Sequence, residues 1–121
     1  MGHRILIVDD EPNIVISLEF LMKKEGFDVA VATDGDAALQ KAAEFRPDLI
    51  LLDVMMPKKS GFEVCQALRA DPAMASVKVV MLTAKGRESE VAKGLALGAD
   101  AYITKPFSTK DLVARVKSLL T

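Results

Sequence analysis

The sequence predicts an α/β domain built on a five-stranded parallel sheet with five helices covering both faces. Short runs rich in Val, Ile and Leu alternate five times with segments of helical apolar period, and no linker, repeat or low-complexity stretch interrupts them. Strands joined through helical crossovers are parallel, and right-handed crossovers place the helices on both faces of the sheet. Length sets the domain count. The chain has 121 residues, enough for one compact domain, which most often runs roughly 100 to 150 residues.

In order, the strand candidates are Ile5-Leu6-Ile7-Val8, Val29-Ala30-Val31, Leu49-Ile50-Leu51-Leu52, Val77 to Leu82, and Ala101-Tyr102-Ile103. Each is almost wholly apolar, which marks strands buried on both faces. Between them, Ile14, Leu18, Leu21 and Met22 define a first helix, and Ala38, Leu39, Ala42 and Phe45 a second. Phe62, Cys65 and Leu68 define the third, Val91 and Leu95 the fourth, and Leu112, Val116 and Leu119 the fifth. Each set falls on one stripe at the helical period, the face a helix turns toward a core. Pro12 suits a first helical turn, Gly26 the residue just past a helix end, and Ser108 with Asp111 three residues on resembles a capping box.

Half of the residues are apolar and 27% are charged, the balance of a packed globular protein. The net charge of -1 gives no basic stripe for a phosphate backbone, so no direct nucleic-acid binding is expected. A single cysteine cannot form an intrachain disulfide, and Met1-Gly2-His3-Arg4 leads into the first strand without an apolar signal core. A cytoplasmic location is the expectation. No apolar run approaches the roughly 20 residues that cross a bilayer, so no membrane span is expected.

In an open parallel sheet, ligands collect beyond the carboxyl ends of the strands where the winding direction reverses. Four strand ends carry chemistry: Asp9-Asp10-Glu11, Asp53, Thr83-Ala84, and Thr104-Lys105-Pro106, whereas the second strand ends near Ala32-Thr33-Asp34. Acids gathered there repel, since two unit charges about 4 Å apart near a protein surface cost on the order of 4 kcal/mol. A small hard divalent cation relieves this, and magnesium prefers one or two carboxylates plus waters and phosphate oxygens. Asp9 and Asp10 are its candidate holders. A carboxylate such as Asp53 can then attack a phosphoryl group and form an acyl phosphate. Lys105 and the Thr83 hydroxyl would neutralise the phosphoryl oxygens from the other side.

Further motifs join these. Ile5-Leu6-Ile7-Val8-Asp9-Asp10-Glu11-Pro12, Pro47-Asp48 through Asp53 to Pro57, Gly61, Met81-Leu82-Thr83-Ala84, and Gly98-Ala99-Asp100-Ala101-Tyr102-Ile103-Thr104-Lys105-Pro106-Phe107 follow one another at set spacing. Together they resemble the receiver domain of bacterial two-component response regulators across nearly the whole chain. The resemblance implies the flavodoxin-like strand order 2-1-3-4-5. It makes Asp53 the phosphoacceptor, with Asp9, Asp10, Asp53 and the Met55 carbonyl as magnesium ligands. Thr83, Ala84 and Lys105 would hold the phosphate, Thr83 and Tyr102 would form the switch pair, and the Lys105-Pro106 bond would be cis. Such a domain is a regulatory switch, not an enzyme with an external substrate.

The same resemblance supplies partners. His3 is the sole histidine, so the phosphoryl donor comes from outside, as a sensor histidine kinase, a phosphotransfer protein or a small acyl phosphate. A downstream effector or a missing output domain would read the face of the fourth helix, fifth strand and fifth helix. A dimer through that face is the other use the family makes of it. Asp100, Asp111 and Arg115 match charged positions of the dimerising subfamily, whereas Val91, Ala96 and Ala101 replace charges there. Met55 and Lys85, two residues beyond Asp53 and Thr83, offer no carboxylate or amide to orient a hydrolytic water, so slow loss of phosphate is expected.

Plainer readings stand beside these. Asp9 and Asp10 alone would pass for strand-end or capping acids, Thr83 for an ordinary strand end, and Lys105 for surface charge. Tyr102 alone reads as half-buried packing, and Cys65 as a small core residue. Phosphatases of the haloacid dehalogenase type space two aspartates on alternate residues after strand one, unlike Asp9 and Asp10. A nucleotide site needs glycines where this chain has Asp-Asp-Glu-Pro. A docking module with an acidic pocket that is never phosphorylated is the remaining alternative.

Overall fold

A computed structural model describes residues 3–56, 58–84 and 88–120. Five strands and five helices alternate strictly: β1 (Arg4–Val8), α1 (Pro12–Lys24), β2 (Asp28–Ala32), α2 (Gly35–Phe45), β3 (Leu49–Asp53), α3 (Gly61–Ala70), β4 (Lys78–Ala84), α4 (Glu88–Ala96), β5 (Ala101–Lys105) and α5 (Thr109–Leu120). All strands are parallel, in the order β2-β1-β3-β4-β5, which is the order the resemblance implies.

Alternate residues of the strands feed two cores. Leu6, Val8, Ile50, Leu52, Val79 and Met81 point to one face, where Ala38 and Ala42 of α2 and Val64, Cys65 and Leu68 of α3 pack on them. Ile5, Ile7, Leu49, Leu51, Val80 and Leu82 point to the other, under Leu18 and Met22 of α1 and Leu112 and Val116 of α5. Burial on both faces explains the unbroken apolar runs. Each such side chain, fully buried, stabilises the fold by roughly 1.5–3 kcal/mol.

Local signals end the helices where expected. Pro12 opens α1, and Gly26 follows its end at φ +90°. Asp34 caps α2 by accepting a hydrogen bond from the Ala37 amide, and Ser60 with Glu63 forms a complete capping box on α3. The Ser108 hydroxyl accepts from the Asp111 amide at 3.3 Å, which is half of the predicted box. Among the described residues no helix is long and apolar enough to cross a membrane.

Two expectations need correction. Val77 does not start β4, because its amide closes a turn onto the Met74 carbonyl at 3.1 Å. Leu95 is not on the inner face of α4 but is exposed. Gly94 faces inward instead, and a methyl there would sit 3.4 Å from the Met81 side chain. With Gly94 at the inward position, the stripe is turned one residue from the predicted one.

Candidate functional site

Strand register brings the sequence's strand-end acids together. Val8 pairs with Leu52, so the next residues, Asp9 and Asp53, emerge side by side at the carboxyl edge where the sheet reverses its winding. Oxygens of Asp9, Asp10 and Asp53 all lie within 4.8 Å of one another. Asp53 pairs with Leu82, and Ala84 with Lys105. Thr83 thus stands one residue beyond the Asp53 level, and Lys105 rises from the second strand over.

The Lys105 side chain reaches back across that gap. Its Nζ lies 2.9 Å from Asp9 Oδ2, 3.4 Å from Asp53 Oδ1 and 3.0 Å from Glu11 Oε1. Burial alone would lower the Lys105 ammonium. Close contact with the Asp9 and Glu11 carboxylates and the charges of Asp53 and Asp9 outweigh it and raise the group above the ordinary lysine range. Glu11 is a member of the site that the sequence reading left without a role. Its signal was its place as the third acid in an unbroken run.

Asp9 is wholly buried, and Asp53 is only 6% exposed. Asp9 Oδ1 accepts a hydrogen bond from the Glu11 amide at 3.0 Å. Its Oδ2 has Lys105 as an ion-pair partner but no aligned hydrogen bond, so the contact compensates charge without satisfying the lone pairs. Burial pushes the Asp53 carboxyl up to about 7, and the charge of Asp9 adds to it, while Lys105 and the Met55 amide pull the other way. The pocket therefore holds more negative charge than Lys105 offsets. All of its convergent donors are carboxylate oxygens, and one is buried without an aligned proton. That is the donor set a small, hard divalent cation requires, and the residues fit magnesium.

The remaining predicted residues fall around this centre. Thr83 is 2% exposed at the end of β4, and Ala84 is exposed beside it. The Met55 amide donates to Asp53 Oδ1 at 3.4 Å, a long contact, while its side chain is exposed. Tyr102 lies outside, 42% exposed on β5, bordering a groove with Asp111 and Arg115. The Lys105-Pro106 bond is cis. Lys85, invoked for slow phosphate loss, and Pro57 lie outside the described residues. Cys65 is buried in the core as expected, and burial pushes its thiol up.

Two further observations bear on partners. Asp100, expected on a partner face, is engaged within the chain: its Oδ2 accepts from the Arg69 guanidinium and the Val79 amide, each at 2.8 Å. Ile16 and Phe20 are 64% and 69% exposed on α1. They sit four residues apart, off the buried stripe of Leu18 and Met22, a spacing that puts both on one solvent face. The sequence carried that signal as apolar residues outside the stripe.

Comparison with known proteins agrees with this geometry. A model of the family described as the response regulator receiver domain matches residues 5–117. The chain is 50% identical over 120 residues to the DNA-binding response regulator MtrA of Mycolicibacterium smegmatis, covering 99% of this chain and 51% of MtrA. It is equally similar to the alkaline phosphatase synthesis transcriptional regulatory protein PhoP of Bacillus subtilis, with 99% and 49% covered. The chain thus spans about half the length of these curated relatives. Among solved structures it is similar to the chemotaxis response regulator CheY4 of Vibrio cholerae, at 32% identity and a TM-score of 0.93, covering 99% and 100% of the two chains. A BeF3-activated DrrB receiver domain gives 33% identity and a TM-score of 0.89, with 99% and 98% covered.

Proposed function

The chain belongs to the response regulator receiver domain family of two-component systems, and on that premise we propose that Asp53 is a phosphoacceptor whose modification switches a partner surface. The observation that supports it is the convergence of Asp9, Asp10 and Asp53 with Lys105 set between Asp9 and Asp53. An Asp53 oxygen forms a bond to phosphorus as the donor's nitrogen–phosphorus bond breaks, and the donor imidazole keeps the electron pair. Lys105 and the Thr83 hydroxyl take the phosphoryl oxygens as charge develops on them. A magnesium ion held by Asp9, Asp10, Asp53 and the Met55 carbonyl would supply further neutralisation of those oxygens.

The donor is a sensor histidine kinase or phosphotransfer protein, with small acyl phosphates as substitutes. It must bring its imidazole to Asp53, so its surface covers the pocket's flank, where α1 offers Ile16 and Phe20. These begin about one helical turn beyond Pro12, roughly 6 Å along the axis. In the phosphorylated state Thr83 moves toward the new oxygens and Tyr102 turns from its exposed position into the space left. The altered face of α4, β5 and α5 then serves a downstream effector, an output domain or a second copy. Asp100 would enter any dimer on this face already bonded to Arg69 through one carboxylate oxygen. The chain catalyses only its own phosphorylation and dephosphorylation, in the cytoplasm, and loses phosphate slowly.

The test is the mass of the intact protein after incubation with magnesium and a small acyl phosphate. One phosphoryl increment is expected, absent in Asp53→Asn and persisting for many minutes after the donor is removed. Labelling that survives Asp53→Asn would move the acceptor elsewhere. Loss within seconds would overturn the slow-decay reading, and no increment at all would favour a docking module that is never phosphorylated.

A further inference from the structure

Among the described residues, two glycines are required by proximity, not by backbone conformation, and both lie against the loop that leaves the acceptor strand. A methyl at Gly61 would meet the Asp53 carbonyl oxygen at 2.4 Å and Val54 Cα at 2.9 Å. One at Gly35 would meet Lys59 Cβ at 2.3 Å, its carbonyl oxygen at 2.4 Å and its Cα at 2.8 Å. Gly26 is the contrast: its φ of +90° demands glycine, yet a methyl there would meet nothing within 4 Å. Gly35 opens α2, where alanine would be the better helix former by roughly 0.5–1 kcal/mol. Its close approach to Lys59 is what excludes alanine.

We infer that Gly35 is a positioning residue for the phosphoacceptor site: the first turn of α2 braces the β3–α3 loop at Lys59 and so fixes where Met55 stands relative to Asp53. This rests on the phosphoacceptor reading. Among the described residues, both ends of the loop are closed. The Gly61 amide donates to the Val54 carbonyl at 2.8 Å, and the Ser60–Glu63 capping box locks its far end onto α3. Within it, Lys58 holds φ +71°, a conformation that a lysine keeps only where its surroundings impose it. The Asp36–Lys59 ion pair, 3.8 Å long with both side chains largely exposed, is too wet to hold the loop instead. The atoms a Gly35 methyl would meet are backbone and Cβ, with no flexible end to swing away. Ordinary carbon contacts lie near 3.5–4.0 Å, so alanine would drive Lys59 outward by about 1 Å. Misplacements of that size far from the reacting atoms cost rates heavily.

The experiment compares wild type, Gly35→Ala, Gly94→Ala and Lys59→Gly. Magnesium titrations are followed by the backbone amide resonances of Asp53, Met55 and Met56, and phosphorylation by a small acyl phosphate is followed against magnesium concentration. In Gly35→Ala the metal-free Met55 and Met56 resonances move, and half-saturating magnesium rises about tenfold while the saturating rate changes less. Gly94→Ala, whose methyl meets only side chains at ordinary distance, leaves both unchanged. Lys59→Gly, which removes the Cβ that packs on Gly35 and leaves Gly35 itself intact, moves the same resonances and weakens magnesium binding by a smaller factor. Unshifted resonances with wild-type magnesium binding in Gly35→Ala overturn the inference. If Gly35→Ala does not fold, Lys59→Gly decides: shifted Met55 and Met56 resonances with weakened magnesium binding support the brace, and unchanged ones overturn it. A wild type that takes no phosphoryl group on Asp53 defeats the phosphoacceptor reading, while the metal-free resonances still report on the brace.

Discussion

The two edges of the sheet both gather charged side chains and use them in opposite ways. At the amino edge Arg4, Asp48, Arg69 and Asp100 are engaged by the chain itself. The Arg4 amide donates to Asp48 at 2.7 Å, and its guanidinium to the Phe45 carbonyl at 3.0 Å. Arg69 donates to the carbonyls of Gly98, Ala75 and Val77 and to Asp100, tying α3 to the starts of β4 and β5. At the carboxyl edge Lys105 is shared among Asp9, Glu11 and Asp53, and the acids stay under-compensated. One edge fastens the fold; the other is left open to bind a ligand. Binding sites are costly in this sense, because the groups that would take up a ligand cannot be satisfied internally without it.

The largest test of the contrast is at the fastening. Arg69→Ala removes the donor of four hydrogen bonds and leaves Asp100 without its cation, so denaturant unfolding should show a loss of about 3 kcal/mol. Arg69→Lys should recover less than half, since a single ammonium cannot span acceptors that the planar guanidinium reaches together. A loss below about 1 kcal/mol in Arg69→Ala would mean that water replaces these bonds freely, and the amino edge would be no more a fastening than the carboxyl edge.

The opposite sign is expected at the open edge. Asp53 titrates near 7 in the folded chain and near the ordinary carboxyl value of about 4 when unfolded. Between those values the folded chain binds the extra proton, so stability falls as pH rises through that window, and the full penalty stands above it. Asp53→Asn removes the penalty. In metal-free buffer near pH 8 the substitution should stabilise the chain by about 2 kcal/mol, discounted for solvent reaching the pocket and for the contact Lys105 gives up. Near pH 4 the gain should vanish. Thermal melts across pH that show Asp53→Asn destabilised throughout would make Asp53 part of the fastening.

Sequence legibility divides along the same line. The acids at the carboxyl edge could be read because each follows an apolar run, and a strand end is fixed by local pattern alone. Thr83 and Lys105 were found in the same way. The amino-edge fastening could not be read: Arg69 looks like any last-turn basic residue, and its role depends on α3 passing close to Gly98 and Val77, residues distant in sequence. Asp100 likewise gives no sign in sequence of its bonds to Arg69 and the Val79 amide. Leu95 lies outward because Gly94 holds the inward position, and a glycine carries no apolar signal by which periodicity could find it. Contacts set by how near two elements pack leave little trace in periodicity.

The smallest effect on stability, and the one that sharpens where the open edge ends, is expected at Phe20. Its ring is mostly in solvent, so Phe20→Ala should change stability by no more than about 0.5 kcal/mol. If the donor protein covers this flank of α1, the same substitution removes a large apolar contact made only in the transfer complex. Phosphoryl transfer from that protein should then slow about tenfold, the weight of one interfacial aromatic. Phosphorylation by a small acyl phosphate, which touches only the pocket, should be unchanged. An equal fall with both donors would locate the fault in the pocket. An equal rate with both would confine the open edge to the strand tips and leave Ile16 and Phe20 as incidental surface.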